Sequence, residues 1–124
     1  MAKTILIIED DDFLLGLEAT KLQKKGYEVI TASNGTDAIK KVDSNVKIDL
    51  ILLDLMLPDV DGFMVLEKIR DNKALVTIPV IVFSNLSEDK DIQRVKKLGV
   101  SEFMIKSNFT LDELAEKVKS LIGE

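Results

Sequence analysis

The chain has 124 residues, of which 46% are hydrophobic, and its formal net charge is −5 at pH 7. It contains no cysteine and no histidine, which excludes a disulfide framework, a thiolate metal site, a histidine base and a phosphohistidine. Any bound metal must therefore use oxygen ligands, which favours a hard cation such as Mg²⁺, Ca²⁺ or Mn²⁺.

The length is that of one domain, so we predict a single domain over residues 1–124. No repeat, low-complexity stretch or linker divides the chain. The N-terminal residues lack the pattern of a signal peptide, and no apolar run has the length of a membrane span. With the acidic net charge, this predicts a cytoplasmic protein that binds neither a membrane nor nucleic acid directly.

Short apolar runs rich in β-branched residues alternate along the chain with segments of helical period. Continuous apolar runs of this length are typical of strands buried on both faces of a parallel sheet. The predicted strands cover residues 4–8, 27–31, 50–53, 80–83 and 102–105.

The first three helices are predicted from apolar spacing and from their ends. The first covers about 12–25 and ends at Gly26, a typical C-terminal stop. The second and third cover about 35–46 and 62–72. The inward positions of the first helix are expected to be Phe13, Leu14, Leu17 and Leu22.

The last two helices are predicted mainly from their caps. The fourth is expected to begin after Ser87 as its N-cap and to end before Gly99. The fifth is expected from Thr110, because Thr110 and Glu113 have capping-box spacing. Five strands alternating with five helices predict an α/β fold, a doubly wound parallel sheet with helices on both faces.

Polar side chains follow four of the five predicted strands. Glu9 and Asp10 follow the first strand, and Asp54 follows the third. Ser84 follows the fourth strand and Lys106 the fifth. In such sheets, sites form at the carboxyl ends of the strands. We therefore expect these five side chains to form one site.

Two further aspartates, Asp11 and Asp12, come just after these acids, where the first helix begins. Acids at a helix start commonly act as caps or as partners of the helix dipole. This role is assigned to Asp12, whereas the sequence leaves the role of Asp11 open.

The expected site combines negative charge with one lysine. Glu9, Asp10 and Asp54 would bring a formal charge of about −3 together, which requires a counterion. Mg²⁺ suits oxygen ligands of this kind, and Lys106 offers a second positive charge. Together they would neutralise an incoming phosphoryl group, with Ser84 donating a hydrogen bond. Asp54 is then the predicted nucleophile, which would form an acyl phosphate.

These residues lie in four segments that resemble the response-regulator receiver domain of two-component systems. The segments are ILIIEDD at 5–11, LLDLMLPDVDG at 52–62, VFS at 82–84, and Lys106. The resemblance covers essentially the whole chain, and the spacing from Asp54 to Gly62 is specific. It implies a flavodoxin-like, chemotaxis-regulator-like fold with strand order 2-1-3-4-5, an order that the alternation alone does not give.

The resemblance also implies individual roles in phosphorylation and Mg²⁺ binding. Asp54 matches the phosphoacceptor. Asp10 matches a direct Mg²⁺ ligand, and Glu9 a neighbour that acts through water. Met56 matches the position whose backbone carbonyl completes the metal shell. Lys106 matches the lysine that contacts the phosphoryl group.

Further implied roles concern signalling. Ser84 matches the switch hydroxyl, and Phe103 the aromatic side chain that changes rotamer. In this family, phosphorylation shifts a two-state equilibrium of a face that partners read. The implied partners are a sensor histidine kinase or phosphotransfer protein and a downstream protein or output domain. The chain would thus be a signalling domain that catalyses only its own phosphorylation and dephosphorylation, not an enzyme with an independent substrate.

The chain departs from the family pattern after the lysine. The family usually has a proline there, joined by a cis peptide bond, whereas this chain has Ser107. A cis bond without proline costs about 3–4 kcal/mol. We therefore predict a trans Lys106–Ser107 bond, with Lys106 still reaching the site.

A second departure lies beside the switch serine. Asn85 stands where a small residue is common, and Met56 and Leu86 flank the site with apolar side chains. Family members often have polar groups there that position the hydrolytic water. We therefore expect a long-lived acyl phosphate.

Three other functions fit parts of the pattern. A degenerate receiver that only binds partners would lack the acids, the acceptor or the lysine. A flavodoxin-like FMN protein would need a hydroxyl- and glycine-rich phosphate loop where this chain has aspartates. An Mg²⁺-dependent phosphatase with an aspartate nucleophile usually has a second acid at the position of Met56.

Overall fold

A computed structural model describes residues 2–123, which form five strands, five α-helices and a 3₁₀ turn at Lys106–Asn108. The strands are β1 (Thr4–Ile8), β2 (Glu28–Ala32), β3 (Leu50–Leu53), β4 (Val80–Ser84) and β5 (Glu102–Ile105). The helices are α1 (Asp12–Lys24), α2 (Gly35–Asp43), α3 (Gly62–Asp71), α4 (Asp89–Lys97) and α5 (Leu111–Ile122).

The strands form one parallel sheet in the order β2-β1-β3-β4-β5. This confirms the predicted fold class and the strand order that the resemblance implied. Every residue of β3 and β4 is buried, as expected for strands covered on both faces. Burying each large aliphatic side chain contributes about 1.5–3 kcal/mol, so the central strands hold the two layers of helices together.

Alternate residues of the strands point into two hydrophobic clusters, one on each face of the sheet. One face is covered by α2, α3 and α4, which contribute Ala38, Leu66 and Val95. The other face is covered by α1 and α5, which contribute Leu22 and Val118. The sheet therefore separates two apolar layers, and its carboxyl-end edge is left for polar side chains.

Several element boundaries differ from the prediction by one to three residues. The second strand lies one residue later, and the fourth includes Ser84. Helix α2 ends at Asp43, short of residue 46, because Ser44 turns extended and its hydroxyl donates to the Lys41 carbonyl at 2.7 Å. A serine hydroxyl that bonds to the backbone in this way competes with the helical hydrogen bonds.

The predicted N-cap of the fourth helix is wrong. Glu88, not Ser87, precedes the first turn, and its side chain makes no capping hydrogen bond. Asp89 and Asp91 place negative charge in the first turn. This charge interacts favourably with the helix dipole and stabilises the start of α4 without a hydroxyl cap. The capping box of Thr110 and Glu113 is present as predicted.

The predicted inward face of the first helix is only partly correct. Phe13 is 78% exposed and Leu17 is 43% exposed, whereas Leu22 and Glu18 are buried. Apolar side chains lie on more than one side of this helix, so their spacing does not define its inward face. Gly26 has φ 100° just after the helix and ends it as predicted.

Candidate functional site

The register of the sheet brings the polar residues after four strands together. Ile8 pairs with Leu53, so Glu9 and Asp54 are the next residues on neighbouring strands. Ser84 pairs with Ile105, which directly precedes Lys106. The predicted gathering of these side chains at one edge is therefore present.

The carboxylate of Asp54 lies at the centre of this cluster and is 4% exposed. Its Oδ1 accepts hydrogen bonds from the Ser84 hydroxyl at 2.7 Å and from the Met56 amide at 2.9 Å. Its Oδ2 accepts from the Lys106 ammonium at 2.5 Å. Three donors from three chain segments thus orient the carboxylate.

Lys106 joins two carboxylates. Its Nζ lies 2.6 Å from Glu9 Oε1 and 2.5 Å from Asp54 Oδ2. Glu9 is 2% exposed, and its other oxygen accepts from the Asp11 amide at 3.0 Å. Buried charges are tolerated only when they are paired and hydrogen-bonded, which this arrangement satisfies.

The pKa values of this pair reflect burial and pairing together. Burial raises the pKa of Glu9 above its ordinary value, and the hydrogen bonds from Lys106 and Asp11 offset this only in part. Burial alone would lower the pKa of Lys106, but the hydrogen bonds to Asp54 and Glu9 outweigh it and raise the pKa. Lys106 therefore remains a cation at neutral pH.

The acidic residues are suited to hold a divalent cation. Glu9, Asp10 and Asp54 each offer a carboxylate oxygen, and these oxygens lie within 4.8 Å of one another. Asp10 is exposed, whereas Glu9 and Asp54 are buried. Oxygen donors with one side open to water match the preference of Mg²⁺, which usually keeps several waters.

The loop after β5 takes the form predicted for a chain without the usual proline. No peptide bond within residues 2–123 is cis, so the Lys106–Ser107 bond is trans. The Ser107 amide donates to Asn85 Oδ1 at 3.1 Å, and a 3₁₀ turn begins at Lys106. Asn85 thus helps to hold the loop with Lys106 directed at the site, a role that its position beside Ser84 did not reveal.

The remaining predicted positions have less specific surroundings. Met56 lies two residues after Asp54, and its side chain is 53% exposed. Phe103 is half-buried against the hydrophobic cluster. Asp11, whose role was open, is the N-cap of α1, and its side chain accepts from the amides of Phe13 and Leu14. Asp12 lies in the first turn, where its charge is a partner of the helix dipole, one of the two roles expected for it.

Glu18 is an acid that the prediction missed. It lies on the buried side of α1 and is 1% exposed, and its Oε1 has no hydrogen-bond partner among the described residues. Burial, followed by the negative charge of Glu9, raises its pKa to about 8. Its interactions with Glu9, Lys106 and Asp54 make it an electrostatic neighbour of the cluster.

The structure is that of a small α/β domain with a cluster of acidic side chains at the carboxyl ends of its strands. Residues 5–119 match the family described as the response regulator receiver domain, and the chain belongs to that family. A receiver domain is a signalling domain of two-component response regulators, and the acidic pocket fits its phosphorylation site.

Two relatives show how the chain compares in length. It is 35% identical to the alkaline phosphatase synthesis transcriptional regulatory protein PhoP of Bacillus subtilis, covering 98% of this chain and 49% of PhoP. It is 30% identical to the polar-differentiation response regulator DivK of Brucella anthropi, covering 100% of this chain and 99% of DivK. The chain thus spans about half the length of several curated relatives that it matches.

A solved structure supports the same fold. The response regulator protein TrrA of Thermotoga maritima, in complex with Mg(2+)-BeF, is 34% identical with a TM-score of 0.82. The alignment covers 96% of this chain and 98% of TrrA. In the described part of the chain, no helix combines the length and hydropathy that a bilayer span requires.

Proposed function

We propose that this chain accepts a phosphoryl group on Asp54, with Mg²⁺ bound by Glu9, Asp10 and Asp54. The observation that carries this proposal is the oriented carboxylate of Asp54 between Lys106 and Ser84. The phosphoryl donor would be a sensor histidine kinase or a phosphotransfer protein, which are the partners expected of a receiver domain. The Mg(2+)-BeF complex of TrrA supports Mg²⁺ as the cation.

In the reaction, an oxygen of Asp54 attacks the phosphorus of the donor. The bond from phosphorus to the donor nitrogen breaks, the nitrogen keeps the electron pair, and an acyl phosphate forms on Asp54. Bound Mg²⁺ would neutralise charge on the phosphoryl oxygens. Lys106, already 2.5 Å from Asp54 Oδ2, would pair with one phosphoryl oxygen, and the Ser84 hydroxyl would donate to another.

Asp10, Glu9 and the Met56 carbonyl would contribute to Mg²⁺ binding in different ways. Asp10 is exposed at the mouth of the site and would bind the ion directly. Glu9 already accepts from Lys106 and from the Asp11 amide, which suits it to act through a water. The carbonyl of Met56 would complete the shell from the loop after β3.

The signal would leave the site through Ser84 and Phe103. Ser84 now donates to Asp54 Oδ1, and phosphorylation would give it a new acceptor. Ser84 pairs with Ile105 on β5, two residues from Phe103, and the rotamer of Phe103 would change when Ser84 moves. A downstream protein, or an output domain joined to the chain, would read the changed face. The only chemistry in this scheme is the phosphorylation and dephosphorylation of Asp54. The domain would therefore transmit a signal and turn over no separate substrate.

Incubation with Mg²⁺ and acetyl phosphate tests the central proposal. Intact-mass analysis should show one added phosphoryl group, lost in Asp54→Asn and without Mg²⁺. Asp71→Asn is the matched control, because Asp71 is an exposed aspartate at the end of α3. An unmodified wild-type mass, or an adduct that survives Asp54→Asn, would contradict the proposal.

A further inference from the structure

The side chain of Asp59 joins the loop after β3 to the start of α2. Its Oδ1 accepts from the Gly35 amide at 2.8 Å. Its Oδ2 accepts from the Thr36 amide at 3.0 Å and from the Thr36 hydroxyl at 2.6 Å. One carboxylate from another segment thus binds three donors at the N-terminus of α2, where the helix leaves amides unpaired.

Close packing holds the same loop at both ends. A Cβ added to Gly35 would lie 1.9 Å from Val60 Cγ2, so Val60 rests directly on the start of α2. A Cβ added to Gly62 would lie 2.2 Å from the Leu55 carbonyl oxygen, so α3 begins against the backbone at the start of the loop. Residues 55–61 are therefore confined between two helix starts.

This loop is the one that shapes the acceptor site. The Met56 amide donates to Asp54 Oδ1 at 2.9 Å. The Leu57 amide donates to the Leu55 carbonyl at 3.1 Å, which makes the segment around Met56 a tight turn. The direction of the Met56 carbonyl, the proposed Mg²⁺ ligand, depends on how this turn is held.

We propose that Asp59 is a positioning residue for Mg²⁺ binding: it anchors the loop to α2 and thereby directs the Met56 carbonyl towards the metal. The proposal rests on the proposed function above. Asp59 does not touch the acceptor and acts only through the loop. Its hydrogen bonds with the Thr36 hydroxyl, the Thr36 amide and the Gly35 amide lower its pKa to about 2, so the anchor stays anionic at working pH.

The test measures Mg²⁺ affinity directly by calorimetry, without phosphorylation. Asp59→Ala should raise the Mg²⁺ Kd about tenfold, the lower end of what the loss of an outer-shell partner costs. Thr36→Val removes only the hydroxyl donor and keeps the net charge. It should also raise the Mg²⁺ Kd, but by less than Asp59→Ala does. Asp43→Asn, an exposed acid at the far end of α2, should leave the Kd unchanged.

Amide hydrogen exchange gives a second readout, since the Gly35 and Thr36 amides should exchange faster in Asp59→Ala. Faster exchange with a wild-type Kd would overturn the proposal, as would an equal rise of Kd in Asp43→Asn. If Asp59→Ala does not fold, a wild-type Kd in Thr36→Val is sufficient to reject it. The proposed function fails on a different observation, namely that the wild-type protein gains no phosphoryl group.

Discussion

Glu18 places a carboxyl group on the buried side of α1, with a pKa raised to about 8 by burial and by the charge of Glu9. In the unfolded chain its pKa returns to the ordinary value near 4.5. Between these two values the folded state binds more protons than the unfolded state. The contribution of Glu18 to the free energy of unfolding is therefore complete at low pH and lost as the pH rises to about 8.

Replacement of Glu18 by leucine should remove this loss. At pH 8 we expect Glu18→Leu to raise the free energy of unfolding by on the order of 4 kcal/mol, because the pKa of Glu18 rises from 4.5 to about 8 on folding and one pKa unit corresponds to about 1.4 kcal/mol. Urea unfolding of the wild type and the variant at pH 5, 6, 7 and 8 measures this difference in the free energy of unfolding. The chain has no histidine, so few other groups titrate in this range.

Glu18→Gln is the control that separates ionisation from packing. It should flatten the dependence of stability on pH as Glu18→Leu does, but it leaves a buried polar group and gains less stability. Equal slopes of stability against pH in the wild type and in both variants would disprove the assignment of a raised pKa to Glu18.

Single residues show where sequence patterns are sufficient and where they are not. Asp54 and Lys106 could be predicted because each follows an apolar strand, and strand ends of a parallel sheet meet at one edge. Glu18 was missed although it lies four residues from both Leu14 and Leu22, because a charged side chain is ordinarily assigned to the exposed face of a helix. Asn85 and Asp59 act through contacts with distant segments, which no local spacing reports.

At the scale of elements, the loops after β3 and β4 set the surroundings of the proposed acyl phosphate. Met56 is half-exposed beside Asp54, and Leu86, whose amide donates to Ser84 Oγ at 3.4 Å, packs against the hydrophobic cluster. Neither side chain has a polar group to hold or activate a water molecule. This supports the expectation of a slow loss of the phosphoryl group.

Polar replacements in these loops should shorten the lifetime of the acyl phosphate. Leu86→Glu and Met56→Asn together should speed its loss by about tenfold or more, since positioned acid–base groups contribute at least that much. The measurement follows the phosphorylated mass over time after donor removal. Val46→Asn, another exposed apolar position, serves as the control. Identical lifetimes in all three proteins would rule out this role of the loops.

Element boundaries were predictable to the extent that local signals determine them. The capping box of Thr110 and Glu113 and the helix stop at Gly26 are local signals, and both were predicted correctly. The start of α4 was not, because Ser87 and Glu88 compete for the cap and acidic residues in the first turn favour the later start. A hydroxyl near a helix start is therefore weak evidence when acids follow it.

At the scale of the whole molecule, the net charge of −5 is concentrated in part at one edge of the sheet. Lys106 offsets only one of the three acids there. A cation that binds the folded site but not the unfolded chain must stabilise the fold. Metal binding and folding are therefore expected to be coupled.

Addition of Mg²⁺ should raise the free energy of unfolding by about 2.7 kcal/mol when its concentration is 100 times its Kd. Urea unfolding with MgCl₂, compared with NaCl at equal ionic strength, measures the gain. Asp10→Asn should lose most of it, because Asp10 is the exposed carboxylate of the three. An equal gain in Asp10→Asn would show that Mg²⁺ acts elsewhere on the acidic surface.

The strand order determines how late in folding the acceptor site around Asp54 is assembled. Glu9 follows β1, the first of the five strands in chain order, whereas Lys106 follows β5, the last of the five and an edge strand. During synthesis the N-terminal part emerges first, and contacts between such distant residues form late. Until β5 joins the sheet, Asp54 and Glu9 lack their shared ammonium group. Competence to receive a phosphoryl group would then report that β5 has been synthesised and has joined the sheet.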